Sequence, residues 1–236
     1  MKPPKNRTTN LATPEKIANL REHLDNAREL LAGHPEERYL RVSNGNQKLN
    51  TLKSVSFLPV ITCARACPYC YAMTGRFIFD SVRIPEAINT ALYMDYRDIF
   101  TADLERVARL NVYLRHFVAG DMPDAEYIET LADIANRYPN CHHHMFTKRF
   151  NFVNDYITAH GGRIEAIPDN VHILFSGDDE HKPVNPYNLP ETLIIKLGME
   201  PPTGAAFCSG NCEECFCAGI GCWTARPGQI ICFNQH

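Results

Sequence analysis

The stretch Ser54-Val-Ser-Phe-Leu-Pro-Val-Ile61, followed after Thr62 by Cys63-Ala-Arg-Ala-Cys67-Pro-Tyr-Cys70-Tyr71, is the one on which the fold turns. The apolar run 54–61 predicts a buried strand, which places a group of cysteines directly after that strand's end. Working outward from it, further short apolar runs at 113–119, 142–147, 171–176, 192–197 and 230–233 read as strands. The segments between them have helical character: one or two helices over 85–110, one over 124–138 and one over 151–160, the last ended by Gly161-Gly162. Before them all, Ile17, Leu20, Leu24, Ala27, Leu30 and Leu31 recur at three- and four-residue steps. Thr13 stands as N-cap, Pro14 at N1 and Gly33 as the stop.

Strands separated by helix-length segments predict right-handed βαβ units and a parallel sheet. Five or six strands suit an α/β fold of the partial (β/α)6-like open-barrel kind. An N-terminal arm and helix (1–42) would precede the barrel (43–200), and a Cys-rich metal-binding segment (201–236) would follow it. Chemistry in such barrels gathers at the C-terminal ends of strands. Cys63 to Cys70, Gly120-Asp121, Thr147-Lys148 and Ser176-Gly-Asp178 all fall there.

The 236 residues include 24 basic and 27 acidic side chains, for a formal net charge of −3, so no general attraction to nucleic acid or to anionic membrane is indicated. No stretch approaches the roughly 20 apolar residues that a membrane span needs, and the basic first ten residues lead into no apolar h-region. The expected location is therefore the reducing cytoplasm. Ten cysteines there are not expected to form a disulfide framework. They cluster instead, three within 63–70 and five within 208–222, which points to metal.

The spacing C-x3-C-x2-C lets three thiolates wrap one corner of a cubane and leaves its fourth iron open to a small molecule. Zinc is the alternative, with Cys67 and Cys70 as a knuckle and Cys63 unexplained. With Tyr69 before the last cysteine, the motif resembles the radical S-adenosylmethionine (SAM) signature. That resemblance implies a [4Fe–4S] cluster on Cys63, Cys67 and Cys70, with the amino and carboxylate groups of SAM on its open iron. It further implies an external electron donor such as flavodoxin or ferredoxin, and a 5′-deoxyadenosyl radical that takes hydrogen from a substrate the sequence does not name.

More of the chain is similar to the phage-associated gene product 88 family. Asn44-Gly-Asn-Gln-Lys-Leu49, Phe57-Leu-Pro59, Cys70-Tyr-Ala72, Arg115-His116 with Gly120-Asp121, Phe146-Thr-Lys148 and Cys222-Trp223 occur in that family's order, over roughly 43–236. Radical SAM proteins commonly end the second strand in Gly-Gly-Glu-Pro, which holds the SAM amino group. Ala119-Gly120-Asp121-Met122-Pro123 puts a carboxylate there that is one methylene shorter, and a plain strand-to-helix turn explains it equally well. No Gly-x-Ile-x-Gly element for adenine is evident. Lys148 is placed to bind a SAM carboxylate or an anionic substrate, or merely to start a helix. Ser176 and Asp178 are weaker cofactor candidates, since Ser-Gly-Asp-Asp is good turn chemistry.

In the second group, Cys208, Cys212, Cys215 and Cys222 supply a full ligand set for a second [4Fe–4S] cluster or a zinc ion, with Cys217 as the spare. His142-His143-His144 alternates faces on a strand, which is poor geometry for three-His ligation; one or two would line the barrel and the rest meet solvent. Cys141 and Cys232 read as core residues. Three functions follow in order: a radical SAM-type enzyme, a non-catalytic or electron-carrying iron–sulfur protein on the same fold, and a zinc-stabilised nucleic-acid-binding module. The near-neutral charge argues against the last.

Overall fold

Helix α1 (Pro14–Gly33) begins as its sequence dictates, with the Thr13 side chain accepting from the Lys16 N–H and Pro14 in the first turn. Its buried stripe, Leu20, Leu24, Ala27 and Leu31, joins the main core rather than standing apart from it. The computed structural model describes residues 11–44, 49, 51–178, 180–196 and 198–234. Most of the Asn44–Leu49 motif lies outside them.

The remaining helices are α2 (Asp80–Asp95), α3 (Arg97–Leu110), α4 (Glu126–Arg137), α5 (Phe150–Ala159) and α6 (Cys212–Ala218). The expected helical stretch 85–110 is thus two helices, the first starting earlier and carrying Pro85 inside it. Seven strands are described: β1 (Lys53–Val55), β2 (Tyr113–His116), β3 (His142–Thr147), β4 (Val171–Ser176), β5 (Glu191–Ile195), β6 (Ala206–Phe207) and β7 (Ile230–Asn234). They form one parallel sheet in the order β1-β2-β3-β4-β5-β7-β6. Among the described residues no helix is long and apolar enough to cross a membrane.

The expected strand 54–61 is corrected to the three residues of β1. Beyond Val55 the chain leaves the ladder: Phe57 N–H bonds the Ala119 carbonyl, Leu58 N–H bonds Thr90 Oγ1, and Val60 takes a positive φ of 68°. Phe57 is apolar because it plugs a cluster with Tyr93, Phe100, Phe117 and Tyr127, at centroid separations of 4.9 to 6.1 Å. Likewise β2 stops at His116, because Phe117 turns left-handed at φ 57°. β6 was not foreseen, and among the described residues the β4–β5 connection carries no helix, so that unit is not a βαβ repeat.

The two sheet faces differ. Leu114, His116, His143 and Met145 are buried on the side where Tyr127 of α4 bonds His116 Nδ1 at 2.7 Å. Tyr113, Arg115, His142, His144, Phe146 and His172 share the opposite face, following the paired register of β2, β3 and β4. There Phe216 and Trp223 pack on Tyr113, His142, His144 and His172 at 4.7 to 5.8 Å between rings. The second cysteine group therefore covers this face near the strands' N-terminal ends. His143 opposes its two neighbours as expected, but none of the three histidines is exposed, which corrects the solvated reading.

Candidate metal centre

Three cationic side chains hold the Cys63–Cys70 loop by its backbone. Arg149, just after β3, donates from Nη2 to the carbonyls of Thr62 at 2.8 Å and Cys63 at 3.0 Å. Arg83 of α2 bonds the Ala72 carbonyl, and Lys16 of α1 bonds the Met73 carbonyl at 2.9 Å. Leu11 N–H reaches the Pro68 carbonyl at 2.7 Å. The loop and its flanks are thus fixed at the C-terminal edge of the sheet by donors that bond carbonyls rather than thiols.

Each thiol has its own surroundings. Cys63 Sγ accepts from Val60 N–H at 3.3 Å, and burial, then the Asp121 carboxylate, push its thiol well above the usual range. Burial also raises Cys67, with the Lys148 ammonium acting in the opposite direction. Burial raises Cys70, against the backbone N–H of Ala72. Burial thus favours the neutral form of each of the three thiols, and a metal would displace their protons. Among the described residues, no group of three His, Cys, Asp or Glu side chains is set to hold a metal ion. A cubane spreads its ligands around four irons, so it needs them farther apart than a single ion does.

Asp121 is 4% exposed and fully engaged: it accepts from Thr147 Oγ1 at 2.7 Å, Lys148 N–H at 2.8 Å and Met122 N–H at 2.8 Å. Burial raises its carboxyl despite these donors. Its own N–H reaches Thr62 Oγ1 at 3.1 Å, which ties the end of β2 to the loop. Gly120 lets the two segments meet: at φ 78°, a Cβ there would stand 2.7 Å from the Phe57 carbonyl oxygen and 2.8 Å from Thr62 Oγ1.

Asp178 carries more of the site than turn chemistry suggests. It accepts from the Tyr69 hydroxyl, pairs with Lys148 Nζ at 3.2 Å and lies 3.6 Å from Arg65 Nη1. Burial opposes its ionisation, yet Tyr69 and Lys148 hold its carboxyl below the usual range. Lys148 Nζ also bonds the Ser176 carbonyl. So Tyr69, Lys148 and Ser176 do come together beside Cys67, joined through an aspartate 109 residues from Tyr69, a separation no local motif reveals.

The pair Arg83–Glu86, at 2.8 Å, is almost wholly buried beneath the loop. Burial raises the Glu86 carboxyl from 4.5 to about 7, against the pull of Arg83. A raised folded-state pKa means that the native state binds the extra proton, so this contribution to stability is present below about pH 4.5 and lost as pH rises toward 7. Glu86→Gln should flatten that limb, read as urea midpoints at pH 5 and 8. An unchanged difference between the two midpoints would show that Glu86 does not titrate in this window.

In the second group, α6 places Cys212 and Cys215 one turn apart, with Asn211 capping and Gly219 closing the helix in the left-handed region. Ser209 Oγ lies 3.0 Å from Cys215 Sγ, and Trp223 Nε1 donates to the Cys212 carbonyl at 3.0 Å. Cys208, Cys212, Cys215 and Cys222 are partly buried and Cys217 is exposed. Cys141 and Cys232 are buried, as core residues should be. A cavity of about 200 Å³, lined in part by His172, Leu174, Pro190 and Cys222, lies beside this group where β4 and β5 pair through only two residues each.

These features define an α/β protein on a parallel sheet, with one cysteine loop at the strands' C-terminal edge and a second cysteine group on the face its larger helices leave uncovered. The chain belongs to the gene product 88 family, whose model matches residues 23–197. That match starts inside α1, earlier than expected, and ends before the second cysteine group. Comparison with curated proteins and with solved structures gave no match.

Proposed function

We propose that this chain is a radical SAM-type enzyme on a partial-barrel sheet, with Cys63, Cys67 and Cys70 as ligands of a [4Fe–4S] cluster. Such a cluster, reduced by an external donor such as flavodoxin or ferredoxin, supplies reductive cleavage of SAM for hydrogen abstraction from a substrate. The observation that carries the reading is the gathering of three thiols, and no fourth, on one loop at the C-terminal edge of a parallel sheet. The residues present fit the group: three cations grip the loop's carbonyls, and Lys148 and Arg65 place positive charge beside Cys67, which favours thiolate. Asp121 orients the ends of β2 and β3 against the loop. Lys148 and Arg65, shared with Asp178, are the groups placed to meet a carboxylate.

A second reading has a specific observation behind it. With both Asp121 oxygens occupied by internal donors, that carboxylate offers little to a SAM amino group, which suits an electron-carrying iron–sulfur protein. Anaerobic reconstitution followed by dithionite reduction with SAM decides between them. The enzyme reading expects 5′-deoxyadenosine; a reduced, cluster-loaded protein that forms none leaves the carrier. A colourless protein that holds zinc and no iron defeats both.

A further inference from the structure

We infer that the cavity between β4 and β5 is a binding site for a neutral cyclic amide of the nucleobase type, held by the backbone of Ile173. The two strands pair only through Phe175 with Glu191 and Ser176 with Thr192. Phe175 N–H bonds the Pro190 carbonyl. By the parallel pattern, the next bonds of the ladder would join Ile173 N–H to the Asn188 carbonyl and Ile173 C=O to an N–H at position 190. Neither forms. Position 190 is proline and has no N–H, while Asn188 turns left-handed at φ 57° and gives its carbonyl to the Gly228 N–H at 2.7 Å. β3 supplies no substitute. His143 N–H bonds the Asn170 carbonyl, a register in which His172 and Leu174 turn their peptide groups to β3 and Ile173 turns its own away. Ile173 is nevertheless only 3% exposed. A buried residue that offers both a donor and an acceptor is ordinarily matched by a partner.

The cavity gives that partner room. Its volume is about 200 Å³, and Ile173 lines it together with Pro168, Leu189, Pro190, Glu165 and Asp169. This is several times the volume of one water, about 30 Å³, and below that of drug-sized sites, roughly 300–1,000 Å³, which suits a single flat heterocycle. A cyclic amide carries C=O beside N–H along one edge, so it can accept from Ile173 N–H and donate to Ile173 C=O at once. The proline and aliphatic walls suit its faces. Glu165 and Asp169 are exposed, and their negative charge disfavours a phosphate, so the ligand is a base or nucleoside rather than a nucleotide. The cavity lies toward the start of β4, away from the cysteine loop at the strands' C-terminal edge, and the inference is independent of what that loop binds.

Titration of the full chain with uracil and with hypoxanthine tests it, read at the Ile173 amide proton resonance. Each base is run beside its N-methylated form, which keeps the ring and loses the amide N–H. At least one base should give a saturable shift, and its methylated form should bind about 5–150-fold more weakly, the effect of leaving one buried carbonyl unpaired. Pro190→Ala supplies the missing N–H to Ile173 C=O, so in that chain a base and its methylated form should bind alike. Ala225→Leu narrows the cavity from the loop before β7 and should weaken both, which keeps the test decisive if the Pro190→Ala chain fails to fold. The absence of a saturable shift with either base at millimolar concentration overturns the proposal and leaves the cavity to water. So does a methylated form that binds the parent chain as tightly as its base, a difference between the two that persists in Pro190→Ala, or binding that Ala225→Leu leaves unchanged.

Discussion

Replacing Cys67 with Ala is expected to cost the reconstituted protein about four irons and essentially all 5′-deoxyadenosine formation, with the fold intact. The same result is expected at Cys63 and at Cys70, although their surroundings differ. Three ligands are the fewest that hold a cubane with one open iron, so loss of any one removes the group rather than weakening it. The fold should survive because the loop's anchors are carbonyls: those of Thr62 and Cys63 on Arg149, of Ala72 on Arg83 and of Met73 on Lys16. Far-ultraviolet circular dichroism and iron content, measured on the same preparation, separate the two effects. A variant that keeps both its iron and its product removes that cysteine from the ligand set.

Gly120→Ala should be the most damaging single-methyl change near the site. The added Cβ meets the Phe57 carbonyl oxygen at 2.7 Å and the Phe57 Cβ at 2.9 Å, neither of which can swing away as a side-chain tip could. A positive φ at a non-glycine and overpacking each cost about 1–3 kcal/mol, so about 2–6 kcal/mol is expected from a total stability of about 5–15. Urea unfolding should show a lower midpoint with an unchanged slope. Iron retention should fall as well, because the displaced segment carries the Asp121–Thr62 bond next to Cys63. A midpoint equal to that of the parent chain would mean that the approach of the two segments is slack.

What could be read from sequence followed from local physics. β3 and β4 have the bounds expected of them because each is a short apolar run whose ladder lasts as long as the run. α1 was legible from its cap and stripe. β1 was over-read because burial has more than one cause: Phe57 and Leu58 are apolar for an aromatic plug, not for a ladder. At the site, the cysteine spacing was visible and the clasp through Asp178 was not. Asp178 and its partners, Arg65 and Tyr69 on the cysteine loop and Lys148 after β3, come from three separate parts of the chain and meet only when the sheet forms. Arg115 was quoted within a motif, yet its burial against His144 and Phe146 is a property of packing that spacing cannot reveal.

The strand order at the far edge of the sheet has a consequence for synthesis. β6 pairs with β7 and lies outside it, so β6 has no ladder to join until residues 230–234 have been made. The cysteines of the second group emerge from the ribosome between these two strands. During that interval the growing polypeptide presents its thiols before the surface that will cover them is complete. The topology therefore gives the nascent chain a window of thiol exposure that closes when β7 takes its place between β5 and β6.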